Sequence, residues 1–172
     1  MAKEMTAFEL AKEGNRYVGE QSRDKVVQIR SEKSVGSLTP NICYIVYFDA
    51  DATFKAIEVK FGAGKKMDVK RAARVLEVAK RNEPLNKDGL KIDSDHALDI
   101  AAKEPLLEKL TLKASRLVLE RRSLEDFTPV WKVYLWAAKL KNPNDNAAVG
   151  EVVISASDGQ VLKSELNPER VD

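Results

Sequence analysis

The chain of 172 residues is 44% hydrophobic and 33% charged, which is typical of a soluble globular protein with one ordinary domain or two small ones. Its 29 Lys and Arg residues against 27 Asp and Glu residues leave a formal charge of +2, too small for a dedicated nucleic-acid-binding protein. The single cysteine, Cys43, excludes an internal disulfide bond and a cysteine-based zinc site.

The N-terminal segment predicts a helix. Met-Ala-Lys-Glu-Met-Thr has no apolar core of the signal-peptide kind, and no later run is long enough to cross a bilayer, so export stays open and no membrane span is expected. Thr6 and Glu9 then form a capping box, in which each side chain accepts from the backbone N–H of the other residue. Apolar and small residues follow at helical spacing: Leu10, Ala11, Gly14, Tyr17 and Val18.

Three strands are predicted next. Val26, Val27 and Ile29 lie among polar neighbours and indicate the first strand. Thr39-Pro40 introduces the run from Ile42 to Phe48, which is apolar enough for a central strand covered on both sides. From Phe54 to Phe61 apolar and charged residues alternate, which is the period of a half-buried strand.

From Asp68 the apolar period changes to that of a helix. Asp68 can cap this helix, and its predicted apolar face consists of Val69, Ala72, Ala73, Leu76 and Ala79. Asn82-Glu83-Pro84 ends it, and the Asn-Lys-Asp-Gly sequence at 86–89 is a linker. The predicted organisation is therefore a first unit over 1–85, with this helix trailing it, and a second unit over 90–172.

The second unit repeats the pattern of the first. Ser94 is predicted to cap a helix with an apolar stripe, and strands are predicted around Leu117, from Thr128 to Leu135 and from Glu151 to Ala156. The last strand ends in a turn at 158–159, where Asp-Gly favours an antiparallel hairpin.

An alignment of the two halves supports a duplication. Placing Phe8 on Leu98 places Val27 on Leu117 and Ile29 on Leu119; a shift of about one residue then brings Thr39-Pro40 onto Thr128-Pro129. The sequence thus predicts an α+β fold of two helix-strand-strand-strand units, in each of which an antiparallel sheet curls around one helix.

A family resemblance follows from the second half. The run from Lys91 to Ala101, then Trp131-Lys132-Val133, then the strand from Val153 that continues through Asp-Gly-Gln into Val-Leu, together resemble a PepSY domain. The resemblance covers residues 91 to about 164, and the first half resembles a more diverged copy. It implies a cystatin-like fold and a noncatalytic protein of the cell envelope or exterior. It also implies a peptidase as partner, because some members inhibit or chaperone thermolysin-type peptidases.

The residues themselves argue against an active site. His96 is the single histidine and falls in the first turn of a predicted helix, where a solvated polar residue is ordinary. Cys43 lies in an apolar strand, which disfavours the thiolate and indicates a buried structural thiol. Neither Asp49 with Asp51 nor Asp93 with Asp95 has the spacing of a calcium loop. We therefore expect no catalytic residue, no metal and no cofactor.

One glycine-rich segment partly matches a phosphate-binding loop. The run from Phe61 to Lys66, Phe-Gly-Ala-Gly-Lys-Lys, lacks the earlier Gly and the following Ser or Thr of that motif. The sequence favours a plain strand-to-helix turn here.

Two groups of side chains are candidate binding residues. A basic concentration runs through residues 65–81, and its candidates are Lys65, Lys66, Arg71 and Arg74. Alternation along a strand places Trp131 on one face and the pair Tyr134 and Trp136 on the other, where the pair forms either an exposed binding strip or the seam between the two halves.

The leading hypothesis is a protein-binding module of the cell envelope that modulates or inhibits a peptidase. This hypothesis rests on the family resemblance and on the lack of a recognisable set of catalytic residues. The alternative is a module that binds a small ligand or anion through a sheet face and the basic segment. A hydrolase ranks third, because carboxylates are plentiful. Nucleic acid is not the expected partner, and the oligomeric state stays open.

Overall fold

Eight antiparallel strands form one open sheet in the computed structural model, which describes residues 4–52, 55–71 and 83–172. The order across the sheet is β4-β3-β2-β1-β5-β6-β7-β8. The strands are β1 (Val26–Ser31), β2 (Ile42–Phe48), β3 (Ala56–Gly62), β4 (Lys65–Lys70), β5 (Leu112–Arg121), β6 (Pro129–Ala138), β7 (Asn146–Ser155) and β8 (Val161–Leu166). Together with the helices described below, this sheet confirms the predicted α+β class.

Two α-helices of the described chain, α1 (Ala7–Gly14) and α2 (Ser94–Ala102), pack on the same side of the sheet, which we call the helix side. The capping box predicted at the start of α1 is present, with Glu9 N–H donating to Thr6 Oγ1 at 3.3 Å and Thr6 N–H donating to Glu9 Oε1 at 3.3 Å. The cap of α2 is Asp93 rather than the predicted Ser94. Within the described ranges, neither helix is long and apolar enough to span a membrane.

The main hydrophobic core lies between the helices and the sheet. Both helices contribute small and branched residues, which allows their backbones to approach the strands closely. Gly14 shows this at the end of α1, because a Cβ there would collide with the phenol oxygen of Tyr47, which donates to Ala11 O at 2.6 Å. Fully buried members of this core include Ile45, Tyr47, Val59, Phe61, Leu119, Trp131, Val133, Leu135 and Ile154.

The two halves of the chain meet at β1 and β5 in the middle of the sheet. Main-chain pairing joins Ile29 to Leu119 and Arg30 to Val118. Side chains extend this short ladder, since Leu117 N–H donates to Ser31 Oγ at 2.9 Å. The sheet therefore runs continuously from one half into the other.

The predicted helix from Asp68 is wrong at its start, because Lys65–Lys70 is strand β4. Ala63 and Gly64 both have positive φ angles, 52° and 78°, and join β3 to β4 in a two-residue hairpin turn. The glycines of this segment thus turn the chain between two strands, and the predicted strand-to-helix turn is also wrong. Residues 72–82, which carry the rest of the predicted helix, lie outside the described residues.

Each half contains one more strand than the sequence predicts. In the second half, β8 follows the turn at Gly159, whose φ angle is 79°, and it pairs with β7. The added strands β4 and β8 form the two edges of the sheet, and most of their side chains are exposed. An exposed edge strand needs no regular apolar alternation, which is why these two strands left little signal in the sequence.

A polar network lies within the sheet on the side opposite the helices. Gln28 Nε2 donates to Glu120 Oε1 at 2.8 Å, and Lys132 Nζ lies 2.8 Å from Glu120 Oε2. Arg30 continues the network on β1, with its guanidinium 2.6 Å from Glu58 Oε2 and 3.4 Å from Gln28 Oε1. Because Gln28, Glu58 and Glu120 are buried, these contacts satisfy groups that water does not reach freely.

Candidate functional site

A pocket of about 280 Å³ opens on the helix side, where the N-termini of α1 and α2 meet over the central strands. Its apolar walls include Ile29, Leu98, Leu117 and Trp131. The indole N–H of Trp131 donates to Ile92 O at 2.6 Å, which holds the ring of this fully buried residue in place. The pocket therefore has a rigid, largely apolar wall.

The two helix N-termini are tied directly to each other at this pocket. Asp93 Oδ1 accepts from Ser94 N–H at 2.7 Å and from Phe8 N–H at 3.0 Å. Ser94 Oγ accepts from Ala7 N–H at 2.9 Å. The side chains of α2 thus cap α1, and several of the backbone donors that usually stay free in a first helical turn already have acceptors.

The mouth of the pocket is polar. Glu4, Thr39 and Asp95 line it and are exposed to solvent. Of the described residues that line the pocket, none is Lys, Arg or His. Among these described residues, the charged side chains at the rim are the carboxylates of Glu4 and Asp95.

Cys43 lines the pocket from β2 and is half-buried, whereas the sequence predicts a buried thiol. Burial, together with a smaller contribution from the nearby carboxylate of Glu4, raises the pKa of the Cys43 thiol to about 11. A pKa of about 11 instead of the ordinary 9.0 lowers the thiolate fraction at neutral pH about 100-fold. Because the thiolate is the reactive form, Cys43 is a poor nucleophile at neutral pH.

The predicted basic residues do not form one face of a helix. Lys65 and Lys66 are neighbours on edge strand β4, so their side chains leave opposite faces of the sheet. Arg71 follows β4, and its guanidinium lies 3.2 Å from Asp49 Oδ2. Arg74 lies outside the described residues.

The predicted aromatic residues alternate across β6 as the period requires. Trp131 faces the core on the helix side, while Tyr134 and Trp136 are half-buried on the other side. Lys33 Nζ lies 4.7 Å from the ring centroid of Trp136, and Arg116 Cζ lies 5.2 Å from that of Tyr134. The two halves are joined by main-chain pairing between β1 and β5, which does not involve β6. Trp136 contacts the first half through the side chain of Lys33.

The structure does not bring the two groups of candidate residues together. Four strands, β3, β2, β1 and β5, separate the basic residues on β4 from the aromatic pair on β6, and neither group lines the pocket. His96 is exposed in the first turn of α2, where its backbone N–H donates to Asp95 Oδ1 at 2.9 Å. Across the described ranges, no group of three or more His, Cys, Asp and Glu side chains could hold a metal ion.

The residues of the pocket were not identified from the sequence as a site. They come from the segment that leads into α1, from the loop before β2, from strands β1, β2, β5 and β6, and from the first turns of α2. The cap residues at 6 and 93–95 were visible as helix signals, but nothing in their spacing indicates that the two helix ends meet.

Comparisons of the chain with protein-family models, with curated proteins and with solved structures found no match.

Proposed function

We propose that this protein is a noncatalytic binding module whose pocket between the helix N-termini holds a small, largely apolar molecule. The observation that carries the proposal is the pocket itself, with its volume of about 280 Å³ and its apolar walls. An engineered apolar cavity of roughly 150 Å³ accepts benzene, so this pocket has room for a larger body such as an alkyl chain. Its volume lies just below the usual range of ligand pockets, about 300 to 1,000 Å³.

The chemistry of the walls favours an apolar occupant. Ile29, Leu98 and Leu117 offer no hydrogen-bonding side-chain group, and the indole N–H of Trp131 already has an acceptor. Water along this wall therefore finds few partners, and an apolar group gains free energy by displacing it.

The proposal of binding rather than catalysis rests on Cys43 and on the helix N-termini at the pocket. The raised pKa of Cys43 keeps the thiol protonated at neutral pH, and the described residues that line the pocket include no histidine or lysine to act as its base. The first helical turns are also occupied by internal acceptors. These features support a pocket that holds a molecule without transforming it.

Octanol is a suitable neutral probe for the pocket. We expect it to slow the alkylation of Cys43 by iodoacetamide, because a bound alkyl chain covers the thiol. Cys43 is the single cysteine of the chain, so the thiol label reports on this position. The labelling rate should rise about tenfold per pH unit up to the pKa of about 11, so an alkaline buffer makes it measurable. A probe at a hundred times its dissociation constant should also stabilise the fold by about 2.7 kcal/mol.

A filled pocket supplies the control for this experiment. The Cys43→Phe variant should lose the stabilisation by octanol, while Val35→Phe, at a position 86% exposed and outside the pocket, should keep it. If Cys43→Phe does not fold, the effect of octanol on iodoacetamide labelling of Cys43 in the unaltered chain still tests the proposal. Unchanged labelling of Cys43 at saturating octanol would refute the proposed pocket function.

A second candidate function is the protein-binding role that the PepSY resemblance implies. One observation favours the underlying duplication into cystatin-like units: β1 pairs Ile29 with Leu119, the two residues that the alignment of the halves makes equivalent. Equivalent residues face each other in this way when a two-fold axis relates two antiparallel strands. We propose, on this reading, an envelope or extracellular protein that binds a peptidase and modulates it. The purified chain should then bind or inhibit a peptidase from its own source, and a complete lack of both would exclude this role.

A further inference from the structure

The charged side chains around the pocket indicate the chemical class of its ligand more closely than the volume of the pocket does. Glu4 and Asp95 place two carboxylates at the mouth, and the described lining residues contain no positive side chain to balance them. The carboxylate of Glu4 also contributes to the raised pKa of Cys43, so its field reaches the inner wall. A second anion brought into this space would be repelled.

Helix N-termini ordinarily favour anions, and here two of them converge. The structure has already filled that role internally, because the carboxylate of Asp93 accepts from the first turns of both helices. The N–H groups of Ala7 and Glu9 donate to Ser94 Oγ and Thr6 Oγ1. An incoming carboxylate or phosphate would have to displace these acceptors before it gained hydrogen bonds of its own.

We propose that the pocket selects apolar molecules that carry one positive charge, the chemical class of amphipathic amines. The apolar body lies against Leu98, Leu117 and Trp131, and the ammonium group lies at the mouth between Glu4 and Asp95. This inference rests on the proposed binding function. The ammonium group keeps part of its hydration there, because both carboxylates are exposed to solvent.

Three probes of equal chain length test the inference: octylamine, octanol and octanoate. The measurement is protection of Cys43 from excess iodoacetamide as a function of probe concentration, at about pH 9, where an alkylammonium group with a pKa of about 10.4 is still charged. We expect octylamine to bind roughly fivefold more tightly than octanol, and octanoate to bind more weakly than octanol by a similar factor, which is the scale of exposed ion pairs. Added salt should reduce both differences, because it screens exposed charges.

A double variant removes the charges without altering the walls. Glu4→Gln with Asp95→Asn should bring the three affinities together, and Asn keeps an oxygen that can accept from His96 N–H. The matched control is Asp99→Asn with Glu169→Gln, which changes the net charge equally at two exposed positions outside the pocket and should leave the order of affinities unchanged.

The outcomes separate the two proposals. If octanoate binds as tightly as octylamine, or if the double variant keeps the full preference for the amine, the charge selectivity is refuted while the pocket stands. If none of the three probes protects Cys43, the binding function itself fails.

Discussion

Gly150→Ala should lower the free energy of unfolding by about 3 kcal/mol, since it combines backbone strain with a steric collision. Gly150 has a φ angle of 134°, a region that side chains rarely adopt. A Cβ at this position would also meet the backbone carbonyl of Glu165 on the neighbouring strand β8. The collision is with main chain rather than with a flexible side chain, so β7 and β8 would have to move apart.

Gly19→Ala is the matched control for this substitution. Gly19 has extended backbone angles, φ −65° and ψ 156°, and a Cβ there would meet no heavy atom within 4 Å. We expect its effect to stay within about 0.5 kcal/mol, as for ordinary surface changes. Chemical denaturation of both variants measures the difference, and equal effects would contradict the strained conformation of Gly150.

Glu120→Gln should lower the free energy of unfolding by about 3 kcal/mol, because it leaves a charge in the sheet without its partner. Glu120 is 5% exposed and accepts from both Gln28 and Lys132. The substitution keeps the shape of the side chain but removes its charge, so the ammonium group of Lys132, whose side chain is 17% exposed, loses its compensation.

An exposed ion pair provides the control for the buried one. Glu165 lies 3.0 Å from Lys163 with both side chains more than half exposed, and Glu165→Gln should cost less than about 1 kcal/mol. A double-mutant cycle with Lys132→Met isolates the buried pair, because the double variant should lose less stability than the two single variants added together. Additive losses would show that Glu120 and Lys132 do not stabilise each other.

The features that the sequence predicted correctly depend on local periods and caps. The capping box of Thr6 and Glu9 begins α1, and the apolar run from Ile42 to Phe48 is strand β2. Alternation along β6 assigned Trp131 to one face and Trp136 to the other. In each case neighbouring residues determine the geometry, so a short stretch of sequence was enough.

The main wrong prediction concerns the segment after β3, where pairing at the edge of the sheet decides the structure. The apolar period from Asp68 onward predicts a helix, but a two-residue turn at Ala63 and Gly64 returns the chain as edge strand β4, which includes both Asp68 and Val69. An edge strand pairs on one side only and can expose most of its residues, so its apolar period is weak. The choice between strand and helix there depended on pairing with β3, which local periodicity does not reveal.

The sequence by itself determined the α+β class, α1 with its cap, the central strands and the facing of the aromatic residues on β6, because these follow from interactions within a few residues. Only the tertiary structure decided that β1 and β5 join the halves into one sheet, and that the N-termini of α1 and α2 meet at a pocket. Glu4 and Asp95 are far apart in the chain and come together there because Asp93 and Ser94 cap α1 across the gap between the helices. Such a contact depends on the packing of distant segments, which no local pattern encodes.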